Sequence, residues 1–172
     1  MDHVDKVLAQ WQQERPDLDV GPMGILGRLK RLQGRVSDQL ARVYTSHGLN
    51  AASFDVLATL RRSGHPYQLS PSALIEWTMV TSGTMTNRLD RLEAQALIKR
   101  CPNPKDRRGS VIALSTQGFD LIDQVIAEHV ENQHLILSGL TTASREQLDK
   151  LLKSWLSDLE EADLQRESEQ QK

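Results

Sequence analysis

Apolar side chains recur at Ile25, Leu29, Leu32, Val36, Leu40 and Val43, a three-and-four spacing held from Met23 to Tyr44. That period predicts one long amphipathic helix of about five turns. Its other positions are cationic at Arg28, Lys30, Arg31, Arg35 and Arg42. The stretch "SHGLN" closes it, with Gly48 suited to the left-handed position after a helix. Asn50 then caps a second helix, "AASFDVLATLRR", which stops at "SGHP". The next run, "LSPSALIEWTMVTSGTMTNRLDRLEAQALIKR", divides into two short helices. Ser70 caps the first, with Pro71 at its first position, and Thr81 or Ser82 caps the second. Along that second helix Met85, Leu89 and Leu92 form the inward stripe, which leaves Thr84, Thr86, Asn87 and Arg91 outside it.

From "IKRC" onward the period changes from helical to alternating. A strand there, a Pro/Gly turn and a second strand, "SVIALS", predict a β-hairpin, which needs a helix behind it to be stable. Two helices follow, over roughly Thr116 to Leu137 and Ala143 to Leu164, the latter with a seam of Leu148, Leu151, Leu152, Trp155 and Leu159. The last residues, "RESEQQK", read as a frayed tail. The expected organisation is an extension helix over 1–20, a helical region over 21–48 and 116–165, a lobe of short helices and hairpin over 49–115, and a tail over 166–172. The fold class is mainly α with a small β-hairpin.

The 172 residues suit one domain with long helical extensions. No apolar run is long enough to span a membrane, and the acidic N-terminal stretch lacks a signal-peptide pattern, so a cytoplasmic location is expected. Cys101, the single cysteine, excludes an intrachain disulfide or a cysteine-based metal cluster. The histidines show no pair at metal-ligand spacing on one helix face. With no glycine-bounded nucleophile and no recognisable acid–base carboxylate pair, an enzyme is not expected, nor is a cofactor.

Charge changes the picture more than composition does. The net charge of -2 conceals a segregation: residues 61–110 hold nine Lys/Arg against four Asp/Glu, and residues 111–172 hold five against twelve. A local cationic surface on an otherwise acidic chain is the footprint of a module that meets phosphates with one face. Two short helices followed by a charged hairpin is the order of a winged helix-turn-helix, whose second helix enters the major groove. Ser82, Thr84, Thr86, Asn87 and Arg91 have the chemistry for that face. At the hairpin tip, Lys105, Arg107 and Arg108 suit a minor groove with its negative potential, and Asp106 suits bracing of the turn against a neighbouring guanidinium. The expected partner is an operator in double-stranded DNA.

The stretch "VTSGTMTNRLDRLEAQALIKRCPNPKDRRGSVIALSTQG" resembles the DNA-binding core of MarR-family transcriptional regulators, with their Asp-x-Arg wing at Asp106 to Arg108 and a Leu-Ser/Thr pair at Leu114 and Ser115. The likeness runs from Met23 to about Leu159. It implies a homodimer with intertwined N- and C-terminal helices, which would cover the apolar seams of the first and last long helices. It also implies a pseudo-palindromic operator with half-sites about one helical turn, roughly 10 bp, apart.

A finer likeness lies in the extension. "W-x-x-E-R-P-D-L", Trp11 to Leu18, followed by "PMGILGRLKRL", "FDVLATLRRSG" and "TSGTMTNRL", is similar to the urate-responsive PecS-type subgroup of that family. The resemblance implies a small anionic ligand held by Trp11, Asp55, Arg88 and Arg100, with urate as effector and repression as the output. Independently of it, Arg88 flanks the inward stripe of its helix, and Asp55 sits among Phe54, Val56, Leu57 and Leu60, where a carboxylate needs a partner. A purely structural Asp55–Arg88 pair with Trp11 as a packing residue is the alternative. Two other readings stay open: a MarR-type regulator answering to phenolic or carboxylate ligands or to oxidation of Cys101, and a dimeric protein-interaction module. The small residues of "GPMGILG" fit close helix approach, not a phosphate loop.

Overall fold

The computed structural model describes residues 1–78, 85–103 and 106–170, with the backbone alone described at residues 106–108 and 170. The first helix, α1 (His3–Glu14), starts at a reciprocal cap: the Asp2 carboxylate accepts from Asp5 N at 2.9 Å and Asp5 accepts from Asp2 N at 2.7 Å. It lies against α2 (Gly21–Ser46), where Val4 and Val20 are buried. Close approach explains the small residues of the α2 entry: a Cβ at Gly24 would stand 3.1 Å from Leu8 Cδ1. Arg28 on α2 clamps the start of α1, donating to Asp2 at 2.9 Å and also to Asp5.

Gly48 takes the left-handed conformation, φ +72°, and turns the chain into α3 (Ala51–Arg62), capped by Asn50, whose side chain accepts from Ser53 N at 2.9 Å. A short strand β1 (Gln68–Leu69) precedes α4 (Pro71–Trp77), with Ser70 capping and Pro71 at the first helical position. Then come α5 (Met85–Ala94), β2 (Ile98–Asn103), β3 (Asp106–Leu114), α6 (Thr116–Ile136) and α7 (Thr142–Gln170). The expected cap at Thr81 or Ser82 lies outside the described residues.

The sheet differs from expectation. It has three antiparallel strands in the order β1-β3-β2, because Gln68 and Leu69 pair with Ala113 and Ile112 along the free edge of the predicted hairpin. Two residues carry no visible alternation, which is why this strand escapes a periodicity reading. The hairpin register runs from Ile98↔Leu114 to Asn103↔Asp106, with an irregularity at Pro102/Asn103.

The chain divides into two units, Met1–Asn132 and Gln133–Lys172. The core of the first unit is built from Val56, Leu57 and Leu60 of α3, Leu74 of α4, Leu89 and Leu92 of α5, Ile112 of β3, and Ile122 and Val125 of α6, all essentially inaccessible to solvent. The second unit comprises the end of α6 and α7, which Thr141 caps by accepting from Ser144 N at 3.1 Å. Helix α7 continues to Gln170, through most of the stretch expected as a tail; its Glu, Gln and Arg residues are good helix formers. Leu148, Leu151, Leu152 and Leu159 of α7 are exposed in the single chain, as are Ile25, Leu29 and Leu32 of α2. Among the described residues no helix is long and apolar enough to cross a membrane.

Candidate nucleic-acid interface and effector site

Helix α5 is oriented by its apolar stripe. Met85, Leu89 and Leu92 are buried in the core, and this turns Thr86, Asn87 and Arg91 to solvent. Short polar side chains and one arginine on an exposed helix face have the donors and acceptors that read base edges. Ser82 and Thr84, assigned to the same face, lie outside the described residues, as does Lys105. Asp106, Arg107 and Arg108 open β3 at the tip of the hairpin, and their side chains also lie outside the description.

The end of α5 has a geometry of its own. Leu97 N donates to Leu92 O at 3.0 Å and Ala96 N to Glu93 O at 2.9 Å, the paired closure of a helix whose next residue is left-handed, and Ala96 has φ 57°. Helix α6 then seats on this turn: Ser115 N donates to Leu97 O at 3.1 Å and Ser115 Oγ to Ala96 O at 2.6 Å. Helix α5, the hairpin and α6 therefore meet in one hydrogen-bonded junction.

Of the four residues assigned to a ligand, the structure places two on helices that pack together. Asp55 is half-buried on α3 and Arg88 half-buried on α5. Arg88 Nη1 is buried and has no hydrogen-bond partner among the described residues. A desolvated guanidinium nitrogen without an acceptor is costly, and a bound acceptor, whether a water, a carbonyl or an anion, would satisfy it. Trp11 lies on α1, 42% exposed, and its placement depends on the packing of α1 against α2. Its helix start is electrostatically set: the Asp5 amide and then Arg28 hold the Asp2 carboxyl below its usual range.

Arg100 is already engaged. From β2 its Nη2 donates to Asp90 at 2.5 Å and its Nη1 to Glu93, while its backbone N donates to Glu93 Oε1 at 3.2 Å. These bonds, Asp90's first, raise the guanidinium pKa above its ordinary value. The sequence reading names Arg100 without these partners: Asp90 and Glu93 stand one helical turn apart on α5, but they reach β2 only across the closing turn at Ala96, which has no glycine to mark it.

Beside Asp55, Phe54 of α3 stacks on Tyr44 of α2 at 5.5 Å between centroids and meets His129 of α6 at 4.6 Å. Burial pushes His129 below its ordinary pKa. Nearby, His47 Nε2 lies 2.7 Å from Glu128 Oε2 and holds that carboxyl down, with help from Gln124. Cys101 is half-buried on β2. Among the described residues no cluster of His, Cys, Asp or Glu could hold a metal ion.

Comparison with known proteins agrees with this geometry. Residues 47–109 match the model of the MarR family. The chain is 44% identical over 149 residues to the HTH-type transcriptional regulator PecS of Dickeya dadantii, covering 87% of this chain and 90% of that protein. A mutant of Escherichia coli MarR solved with operator DNA superposes with a TM-score of 0.65 at 25% identity, over 85% of this chain and 97% of that one. BpsR of Bordetella bronchiseptica, whose DNA binding is regulated by 6-hydroxynicotinic acid, gives a TM-score of 0.65 at 25% identity over 80% and 92% of the two chains. The three-stranded winged lobe, the polar outer face of α5 and the extended likeness to PecS place the chain in the MarR family, as a transcriptional regulator of the PecS type.

Proposed function

We propose that the protein is a homodimeric repressor that binds a pseudo-palindromic operator and is released from it by urate or a related anionic purine. Thr86, Asn87 and Arg91 of α5, with Ser82 and Thr84 ahead of them, read the major groove. Lys105, Arg107 and Arg108 of the wing track the minor groove and its phosphates, with Asp106 bracing the turn. The exposed leucines of α2 and α7 support a dimer, since a monomer would leave both stripes in water. Such a regulator needs no cofactor and works in the cytoplasm.

The observation that carries the effector reading is the buried, unsatisfied Arg88 Nη1 on the recognition helix. An anionic purine would supply its acceptor, stack near Trp11, engage Arg100 and bring negative charge to Asp55. Repulsion at Asp55 and attraction at Arg88 then act on α3 and α5 together, and the ligand shifts the equilibrium to the extent that it prefers the DNA-incompetent arrangement. The 6-hydroxynicotinic acid of BpsR, another planar heteroaromatic acid, supports this ligand class.

The test is fluorescence anisotropy of a labelled duplex from the region upstream of the gene, titrated with protein with and without urate. Urate releases the wild-type protein, and Arg88→Ala or Asp55→Asn protein that still binds the duplex ignores it. Variants that respond like wild type would return these residues to a structural role. Loss of affinity that is steep in salt distinguishes duplex binding from a protein-docking module.

A further inference from the structure

The proposed effector site contains a competition. An incoming anion needs the Arg100 guanidinium, yet Arg100 is held by two carboxylates of the recognition helix. Asp90 takes Nη2 at 2.5 Å, and Glu93 takes both Nη1 and, at 3.2 Å, the Arg100 backbone N–H. The side chains are about one-third to one-half exposed, so the bonds are made and broken readily in water.

We propose that Asp90 and Glu93 are positioning residues that latch β2 to α5 through Arg100, and that an anionic effector works by drawing Arg100 out of this latch. The inference rests on the effector reading above and supplies its transmission step. The latch joins the helix that enters the major groove to the strand that leads into the wing. A duplex contacting both elements binds best when their spacing is held, so DNA favours the closed latch. An anion at Arg88 and Arg100 favours the open one. Each ligand therefore weakens the other, and the coupling is reciprocal.

Two affinities follow from the same population. Urate binds only the fraction of molecules with Arg100 free, so its apparent affinity is reduced by that fraction. Glu93→Gln keeps an oxygen acceptor for the Arg100 backbone N–H but removes the charge that holds the guanidinium. This opens the latch, so urate binds about two- to five-fold tighter and duplex about two- to five-fold weaker, the range that a partly exposed ion pair supports. The duplex result has a diagnostic sign: deleting a negative charge beside DNA would by itself strengthen binding.

The experiment is a cycle of four proteins: wild type, Glu93→Gln, Arg100→Gln and the double variant. Urate affinity is read by calorimetry and duplex affinity by anisotropy at fixed salt. If the latch operates, Glu93→Gln moves the two affinities in opposite directions, and in the Arg100→Gln background it leaves urate affinity unchanged and no longer weakens duplex binding, only the direct gain from the deleted charge remaining. Unchanged affinities, changes of the same sign, or a weakening of duplex binding or a gain in urate affinity that persists without Arg100 would overturn it. Should wild-type protein bind no urate, the effector reading fails, and the duplex arm still decides the latch: a Glu93→Gln protein with wild-type or stronger duplex affinity rules it out.

Discussion

Helix α6 sits on the turn between α5 and β2 only because residue 118 has no side chain. A Cβ built on Gly118 would stand 1.9 Å from the carbonyl oxygen of Leu97, 2.8 Å from its carbonyl carbon and 3.2 Å from its Cα. All three atoms are backbone, so no rotamer relieves the clash, and Gly118→Ala must push α6 away by roughly 1 Å or more to reach ordinary contact. That movement strains the bonds of Ser115 N to Leu97 O, 3.1 Å, and Ser115 Oγ to Ala96 O, 2.6 Å. It also opens the packing of Ile122 and Val125, both inaccessible to solvent in the core.

Two weakened hydrogen bonds at about 1 kcal/mol each and an overpacking cost of about 1–3 kcal/mol sum to about 3–5 kcal/mol. Alanine's helix propensity over glycine returns about 1 kcal/mol. The expected net loss is about 2–4 kcal/mol, a large part of the ~5–15 kcal/mol that holds a domain together. Urea unfolding at one fixed protein concentration measures it, since a dimer's midpoint moves with concentration. Propensity alone has the opposite sign. A Gly118→Ala midpoint at or above wild type would refute the close seating of α6 on Leu97.

Ala96 takes a left-handed conformation, φ 57°, that costs an L-residue about 1–2 kcal/mol, so Ala96→Gly should raise stability by about 0.5–1 kcal/mol once the greater freedom of the unfolded glycine chain is counted; a lower melting temperature would contradict it. Removing the clamp by Arg28→Gln should speed hydrogen exchange of the α1 amides and leave those of α3 unchanged, and equal protection in α1 would show that apolar packing alone holds the extension. Burial makes His129 titrate below the ordinary histidine value of 6.5 in the folded protein, so the unfolded chain binds more protons near that pH. Its contribution is complete above pH 6.5 and lost as pH falls below it towards the folded pKa. His129→Phe should therefore flatten the stability profile in that window, and an unchanged acid slope would assign the effect elsewhere.

The apolar periods disclosed most of the helices because each is a property of one element: Met85, Leu89 and Leu92 had to face inward whatever lay opposite. Caps were equally local, since Asn50 and Ser70 bond within three residues of themselves. The third strand was not legible, because Gln68 and Leu69 become a strand only through the edge of β3. The same distinction divides the candidate site. Arg88 could be placed at the border of the buried stripe from helix geometry alone, and its half-buried setting follows from that position. Arg100 could be named but not partnered, for alternation along a strand says which face a side chain takes and nothing of which charge waits there. Its carboxylates belong to α5, and their reach across to β2 depends on the closing turn at Ala96 and Leu97, whose left-handed residue is an alanine and carries none of the glycine signal that marks such turns. A charge partnership made across a turn is thus hidden when the turn itself is hidden. In this chain that concealed turn joins α5 to the strand that leads into the hairpin, so the contact on which the proposed latch rests is also the one least visible in the residues.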